Sequence, residues 1–84
     1  MKEISIEPEL DLHSFRPEDI PSVVDEYLTE AHAKGLRRVR VVHGRGRGVQ
    51  RAIVQRVLDR HPLVAAFDDD HASHLGATFV ELRD

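Results

Sequence analysis

The sequence predicts an α/β fold, an α+β two-layer sandwich in which a mixed four-stranded sheet carries two helices on one face. Short stretches of alternating apolar and polar residues, typical of strands, occur with two longer stretches of helical periodicity, in the order β-α-β-α-β-β. Because strand–helix–strand units form right-handed parallel crossovers, the first two units place both helices on the same face. The other face is then open, and we expect it to receive a partner or an oligomer contact.

The length and composition are those of one small soluble domain. The chain has 84 residues, of which 40% are hydrophobic and 32% charged. We expect a single domain over residues 1–84, with its core in residues 9–82 and an N-terminal arm or short extra strand in residues 1–8. The absence of cysteine excludes a disulfide framework and fits a cytoplasmic location. No apolar run approaches the roughly 20 residues of a membrane span, so no membrane partner is expected.

The first core strand is predicted over residues 9–13. Side chains on a strand alternate between its two faces, so Leu10 and Leu12 share one face while Asp11 and His13 share the other. If the leucines are buried, an acid and an imidazole stand together on the opposite face.

An amphipathic helix follows. Pro17 and the two acids after it suit a first helical turn, and Gly35 is a natural stop. Between them, one apolar stripe with helical spacing predicts the buried face. Its members are Ile20, Val23, Val24, Tyr27, Leu28 and Ala31.

The second strand is predicted over residues 37–42, and a loop in which glycine and arginine alternate follows it. Val39, Val41 and His43 point to one face of this strand. The residues pointing to the other face are Arg38, Arg40 and Val42.

The second helix is predicted to start at Val49 and to end before His61-Pro62, because the residue before a proline avoids the helical region. Its apolar positions are Val49, Ala52, Ile53, Val57 and Leu58, with Arg51, Gln55 and Arg56 more exposed. A short third strand over residues 63–67, a polar loop over residues 68–74 and a last strand over residues 77–82 complete the prediction.

Charge is strongly segregated along the chain. The net charge of −3 combines +8 in residues 34–60 with −7 in residues 1–33 and −4 in residues 61–84. A cationic block of this kind predicts a polyanionic partner. The alternative is that its arginines pair with the acidic flanks.

The loop that joins the second strand to the second helix suits an anion. Its glycines free the backbone N–H groups, and its arginines offer bidentate contacts to phosphate. It is neither a Walker phosphate loop nor a dinucleotide fingerprint, and a tight turn with incidental arginines is the alternative. The residues expected to bind phosphate are Gly44, Arg45, Gly46, Arg47 and Gly48, with Arg38, Arg40 and Arg51 near them.

Three side chains are candidates for catalysis. The ends of adjacent parallel strands meet at one edge of a sheet, which brings Asp11 and His13 to the same edge as His43. An acid, two imidazoles and nearby arginines suit phosphodiester cleavage, in which one group takes a proton, another donates one and cations stabilise the added charge. The same three residues could instead bind a divalent metal such as Mg²⁺ or Mn²⁺, although their spacing is no metal signature and no metal ligand is assigned.

The chain resembles the Smr (small MutS-related) domain family over most of its length. The motifs that carry the resemblance are Leu10-Asp11-Leu12-His13, then Val42-His43-Gly44-Arg45-Gly46-Arg47-Gly48, then Gly76-Ala77-Thr78-Phe79-Val80-Glu81-Leu82. The first matches the family's Leu-Asp-x-His motif and the second its His-Gly-x-Gly motif. Ser14 stands where family members commonly carry glycine.

The resemblance implies a fold similar to the C-terminal domain of translation initiation factor three. It also implies nucleic-acid binding and, in many members, endonuclease activity on DNA or RNA, with links to DNA repair. Asp11 matches the acidic residue that the family ties to cleavage, and His43 to Gly46 match its substrate-binding motif.

Three functions remain open. The first is an endonuclease that cleaves RNA or DNA as a monomer or homodimer. The second is a non-catalytic adaptor that binds nucleic acid or the ribosome. The third is a protein-interaction module whose arginines meet acidic surfaces.

Overall fold

A computed structural model of the chain describes residues 8–44 and 48–84. Most of the expected N-terminal arm lies outside these residues, and so do three of the predicted phosphate-binding residues, Arg45, Gly46 and Arg47. The described elements are β1 (Glu9–Asp11), α1 (Ile20–Ala33), β2 (Arg38–Val42), α2 (Val49–Arg60), β3 (Val64–Asp69) and β4 (Ala77–Leu82). Two short 3₁₀ turns, Pro17–Asp19 and His71–Ser73, precede α1 and β4.

The four strands form one mixed sheet in the order β1-β2-β4-β3. β1 runs parallel to β2, and β4 lies antiparallel to both β2 and β3. It follows that β2 and β3 run in the same direction with β4 between them. The predicted fold class is confirmed, including the two helical units that join strands of like direction.

Both helices pack on one face of the sheet and bury a single hydrophobic core. Strand residues Val39, Val41 and Val80 face the helices, and all three are fully or almost fully buried. The helical residues of this core are Ile20, Val24, Leu28 and Ala31 from α1, with Val54 and Leu58 from α2. On the other face of the sheet, Arg38 and Glu81 are exposed, so the predicted open face is present among the described residues.

The first strand is shorter than predicted. β1 ends at Asp11, because the backbone N–H of Phe15 bonds the carbonyl of Leu12 in a tight turn, at 3.0 Å. Leu12 is nevertheless fully buried, and its N–H donates to the carbonyl of Val42 at 2.9 Å. The predicted separation of faces therefore holds at this edge, with Leu12 inside and both Asp11 and His13 exposed.

The third strand is longer than predicted. Asp68 and Asp69, which the sequence placed in a polar loop, belong to β3 and pair with Phe79 and Thr78 of β4. Asp69 tolerates a half-buried strand position because Arg51 neutralises its carboxylate.

The second helix is turned relative to the predicted apolar face. Val49 is 56% exposed and Ala52 is also exposed, whereas Val54 is fully buried. Arg51 and Gln55 were expected to be more exposed, yet both are half-buried and bonded to Asp69. Because this network of polar partners lies between α2 and β3, polar positions of the helix face the sheet there. Among the described residues, no helix is long and apolar enough to cross a membrane.

Candidate active site

The carboxyl ends of β1 and β2 meet at one edge of the sheet. Asp11 lies in register with Val42, the last residue of β2, and His43 follows directly. The strand pairing therefore brings the two sequence motifs side by side, as the parallel arrangement predicted.

Asp11 and His13 form an exposed pair of side chains at this edge. The Nδ1 atom of His13 lies 3.0 Å from Oδ1 of Asp11, and the side chains are 80% and 54% exposed. The backbone N–H of His13 donates to the same oxygen, also at 3.0 Å. That backbone hydrogen bond, followed by the bond from the ring, lowers the pKa of Asp11 below its ordinary value. The Asp11 carboxylate thus contacts both the backbone N–H and the ring of His13.

The remaining ring nitrogen of His13 is directed toward a hydroxyl group. With Nδ1–H donating to Asp11, the neutral ring presents Nε2 as an acceptor, and the hydroxyl oxygen of Ser14 lies 3.3 Å from it. A carboxylate, an imidazole and an acceptor nitrogen facing a hydroxyl are the arrangement that a general base requires.

His43 is buried, and both of its ring nitrogens are bonded within the domain. His43 is only 4% exposed. Nδ1 donates to the carbonyl of Gly44 at 3.0 Å, and Nε2 lies 2.9 Å from the hydroxyl oxygen of Thr78. Burial is the main cause that lowers the pKa of His43, and the positive charge of Arg51 adds to it. The ring is therefore neutral at physiological pH, and the Thr78 hydroxyl donates to Nε2.

The sequence grouped His13 and His43 at one edge as acid and base, and their catalytic assignment stays a prediction. Asp11 shares the open face with its register partner Val42, whereas His43 points to the helix-covered face and meets Thr78 there. His13 is exposed, whereas His43 is buried with both ring nitrogens bonded within the domain. The geometry favours a positioning role for His43 over a direct transfer of protons.

Glycines with positive φ mark both described ends of the loop between β2 and α2. Gly44 has φ +83° and Gly48 has φ +79°, a region that residues with a Cβ rarely adopt. The N–H of Gly44 donates to the carbonyl of Gly76 at 2.9 Å, which ties the loop to the approach of β4. Their expected contact with phosphate stays a prediction.

Two of the three flanking arginines expected to bind phosphate are held by carboxylates of the domain. Arg40 lies 2.8 Å from Glu9 and 2.8 Å from Asp70. Arg51 binds Asp69 through two bonds, from Nε to Oδ1 at 2.9 Å and from Nη2 to Oδ2 at 2.7 Å. This is the internal pairing that the sequence left open as an alternative. Both residues stay predicted phosphate ligands, but any such contact has to compete with these carboxylates.

Arg38 is the flanking arginine that remains accessible. Its guanidinium carbon lies 4.3 Å from the centroid of the Phe79 ring, and the residue is exposed. Within residues 8–44 and 48–84, no carboxylate forms an ion pair with it. A guanidinium stacked on a ring keeps its N–H groups available at the edge of its plane for a phosphate.

The open face beyond this edge is acidic. A cavity of about 340 Å³ on it is lined by Asp68, Asp69, Asp70 and Glu81 together with Arg38 and Phe79, among others. Arg51 and Arg40 pair with Asp69 and Asp70, but no ion pair to Asp68 or Glu81 is present among the described residues. These two acids disfavour polyphosphate there, so a nucleic acid is expected mainly at the edge with the loop.

Sequence reasoning missed the roles of three polar residues on the helix-covered side of the sheet, Gln55, Asp69 and Thr78. Thr78 contacts His43, Asp69 contacts Arg51, and Gln55 contacts both Asp69 and Thr78. Gln55 Nε2 donates to Asp69 Oδ1 at 3.0 Å and to the hydroxyl oxygen of Thr78 at 3.3 Å. Thr78 shares its strand face with Val80 and Leu82, both buried. Thr78 could have been identified from the sequence as a polar residue on the apolar face of the last strand.

The described residues do not form a preassembled set of ligands for the divalent metal that the sequence left open. Among the residues that the structure describes, no group of three or more histidines and acids could hold a metal ion. Asp11 and His13 alone supply two ligand atoms at the edge, so Mg²⁺ or Mn²⁺ remains a prediction.

Known proteins match this chain over most of its length. The Smr domain model matches residues 10–83. Endonuclease MutS2 of Caldicellulosiruptor saccharolyticus is 40% identical over 86 residues, which cover all of this chain and 11% of that protein. Endonuclease MutS2 of Halalkalibacterium halodurans is 41% identical over 80 residues, which cover 93% of this chain and 10% of that protein. The chain thus spans about a tenth of the length of these relatives.

Two crystal structures share the fold. The Smr domain of Thermus thermophilus MutS2 is 35% identical, with a TM-score of 0.84 over 90% of this chain and 98% of that chain. YdaL, a stand-alone small MutS-related protein from Escherichia coli, is 30% identical, with a TM-score of 0.83 over 92% of this chain and 65% of that chain.

Proposed function

The chain belongs to the Smr domain family, and from this premise we propose that it is an endonuclease that cleaves phosphodiester bonds in RNA or DNA. The observation that carries the proposal is the exposed Asp11–His13 pair, with the carboxylate on Nδ1 and the Ser14 hydroxyl facing Nε2. Its relatives named endonuclease MutS2 support a nuclease, and the family supports nucleic-acid binding.

In the proposed reaction, Nε2 of His13 accepts the proton of the attacking hydroxyl. In RNA this hydroxyl is the ribose 2′-OH, and in DNA it is a water molecule. Asp11 stabilises the imidazolium that forms, because it already accepts the Nδ1–H. The new P–O bond displaces the leaving oxygen, which takes its proton from the imidazolium or from water. The hydroxyl of Ser14, 3.3 Å from Nε2, stands where the attacking hydroxyl would lie.

Positive charge for the cleaved phosphate is proposed to come from the loop, with Arg38 as a contact for a neighbouring phosphate. Arg45 occupies the variable position of the His-Gly-x-Gly motif and Arg47 follows the motif. The left-handed glycines Gly44 and Gly48 set the directions in which the chain enters and leaves the loop. Arg38 lies on the same open face as Asp11 but begins β2, four residues before Val42, the register partner of Asp11. A strand rises about 3.3 Å per residue, so Arg38 would contact a phosphate other than the one that is cleaved. The loop arginines would neutralise the charge that builds up on the phosphoryl oxygens.

The test is cleavage of labelled single-stranded RNA, duplex RNA and supercoiled DNA, each with and without EDTA. We expect Asp11→Asn and His13→Gln to lower the rate by roughly 10²–10⁴-fold, the range typical of general acid–base groups. Asp59→Asn on α2 and His71→Gln near β4 are matched controls on exposed residues. Wild-type rates in the two edge variants would remove the catalytic assignment, and loss of activity in EDTA would show that a metal takes part.

The second candidate is an adaptor that binds nucleic acid or the ribosome without cleaving. The high exposure of Asp11 and His13 favours it, because water screens the charge of an unenclosed pair. Tight binding of the probes with no product in the same assay would support the adaptor.

A further inference from the structure

One polar network joins the two sides of the Gly/Arg loop. On the β2 side, His43 holds the carbonyl of Gly44 and meets the hydroxyl of Thr78. On the α2 side, Arg51 in the first turn of the helix binds Asp69 through two bonds. Gln55 links the halves, since its side-chain NH₂ reaches both Asp69 and Thr78.

The direction of each hydrogen bond in this network is fixed by chemistry. The Gly44 carbonyl can only accept, so Nδ1 of His43 carries the proton, and in the neutral ring Nε2 accepts one. Thr78 therefore donates to Nε2, and its oxygen accepts from Gln55. Within the described residues, no buried side-chain nitrogen or oxygen lacks a partner. One arrangement of protons satisfies the whole network, which gives it a single defined geometry.

We propose that this network is a clamp on the two ends of the loop, and that Thr78 and Gln55 are positioning residues for nucleic-acid binding. The inference rests on the proposed function for its binding role. Gly44 and Gly48 have no side chains that stiffen the backbone, and neither would have a neighbouring atom within 4 Å of an added Cβ. The hydrogen bonds of the clamp restrict the backbone near these two glycines.

A clamped loop binds more tightly because less conformational entropy is lost when the ligand arrives. His43 fixes the direction in which the chain enters the loop. The loop ends at Gly48, and three residues later Arg51 is bonded to Asp69 of β3. The sequence motif then has two distinct parts, since its histidine shapes the loop while the loop itself contacts the ligand.

Thr78→Val tests the clamp, because it keeps the shape of the side chain and removes the hydroxyl. The probes are a fluorescein-labelled RNA hairpin and a DNA duplex of the same sequence. We expect Thr78→Val to raise Kd about tenfold, and Thr78→Ser, which keeps the hydroxyl, to stay within about twofold of wild type. Thr29→Val is the matched control, since the Thr29 hydroxyl bonds a carbonyl on the exposed side of α1. Gln55→Leu gives a second variant, and it should also raise Kd.

All Kd values are compared at a temperature at which urea titration shows each variant to be folded. Wild-type Kd in folded Thr78→Val and Gln55→Leu would overturn the positioning role, whereas a loss confined to these two would support it. Nitrogen-15 NMR of the His43 ring is an independent readout. A proton on Nδ1 alone at pH 7 supports the clamp, and a proton on Nε2 overturns it. If wild type binds neither probe, the proposed function and the positioning role fail together, while the ring spectrum still decides whether the clamp exists.

Discussion

Asp11 and His43 lie at the same edge of the sheet and face opposite sides of it. Asp11 is in register with Val42 on the open face, while His43 bonds Thr78 on the face that the helices cover. The two family motifs therefore contribute in different ways. The first presents an exposed carboxylate and imidazole, and the second begins with a buried ring that orders a backbone carbonyl.

This division predicts different kinetic defects in two histidine variants. His13→Gln should lower the cleavage rate and leave Kd for uncleaved nucleic acid near the wild-type value, because His13 is exposed and supports no packing. His43→Gln should mainly raise Kd, because the ring that holds the Gly44 carbonyl is gone. Single-turnover cleavage and fluorescence anisotropy on the same RNA separate the two quantities. Equal loss of rate at saturating enzyme in both variants would contradict the division.

The buried imidazole predicts a loss of stability in mild acid. Burial lowers the pKa of His43 below its ordinary value of about 6.5. The hydrogen bond to the Gly44 carbonyl and the charge of Asp69 oppose this shift, and the charge of Arg51 adds to it. Below about pH 6.5, His43 binds a proton in the unfolded chain but stays neutral in the folded domain. The free energy of unfolding therefore falls as the pH drops toward the folded pKa of His43. The slope for one such proton is at most about 1.4 kcal/mol per pH unit.

Urea unfolding of wild type and His43→Gln between pH 7.5 and pH 5 measures this effect. The stability of wild type should fall more steeply than that of the variant, and the difference between them should be greatest at high pH. His71→Gln, on an exposed residue, should keep the wild-type slope. Parallel curves for wild type and His43→Gln would show that His43 titrates normally in the folded domain.

The Arg51–Asp69 pair predicts a second loss of stability at lower pH. The hydrogen bonds from Arg51 are the main cause that lowers the pKa of Asp69 below its ordinary value of about 3.8, and the hydrogen bond from Gln55 adds to it. Stability from this pair is complete above about pH 3.8 and is lost as the pH falls through the folded pKa. Asp69→Asn should therefore lower the urea midpoint at pH 7 and differ less from wild type near pH 2.5. Asp59→Asn, on the exposed side of α2, serves as the control, and a constant difference at both pH values would argue against the pair.

Much of the fold could be predicted because the apolar periodicity is strong. The stripe of α1, the alternation in β2 and β4 and the stop before Pro62 each depend on local sequence alone, and the structure agrees with them. Parallel pairing of β1 with β2 then brought Asp11 and His43 to one edge.

The remaining features depend on partners far apart in the sequence. Asp69 looks like a loop residue until Arg51 neutralises it, 18 positions earlier. Burial of His43 requires the hydroxyl of Thr78, 35 positions later. Local patterns contain neither pairing, so the length of β3 and the role of the histidine could not be predicted from them.

The rotation of α2 is the clearest case, and it predicts a contrast between two valines of that helix. The sequence placed Val49 on the apolar face, but Val49 is 56% exposed whereas Val54 is fully buried in the core. The polar contacts of Arg51 and Gln55 with β3 turn the helix so that Val54 faces inward. Val54→Ala should therefore lower the free energy of unfolding by roughly 1.5–3 kcal/mol, from lost burial and the cavity left behind. Val49→Ala should change it by less than about 0.5 kcal/mol. Urea denaturation of the two variants at pH 7 measures both values, and a larger loss at Val49 than at Val54 would mean that the helix packs in the orientation the sequence predicted.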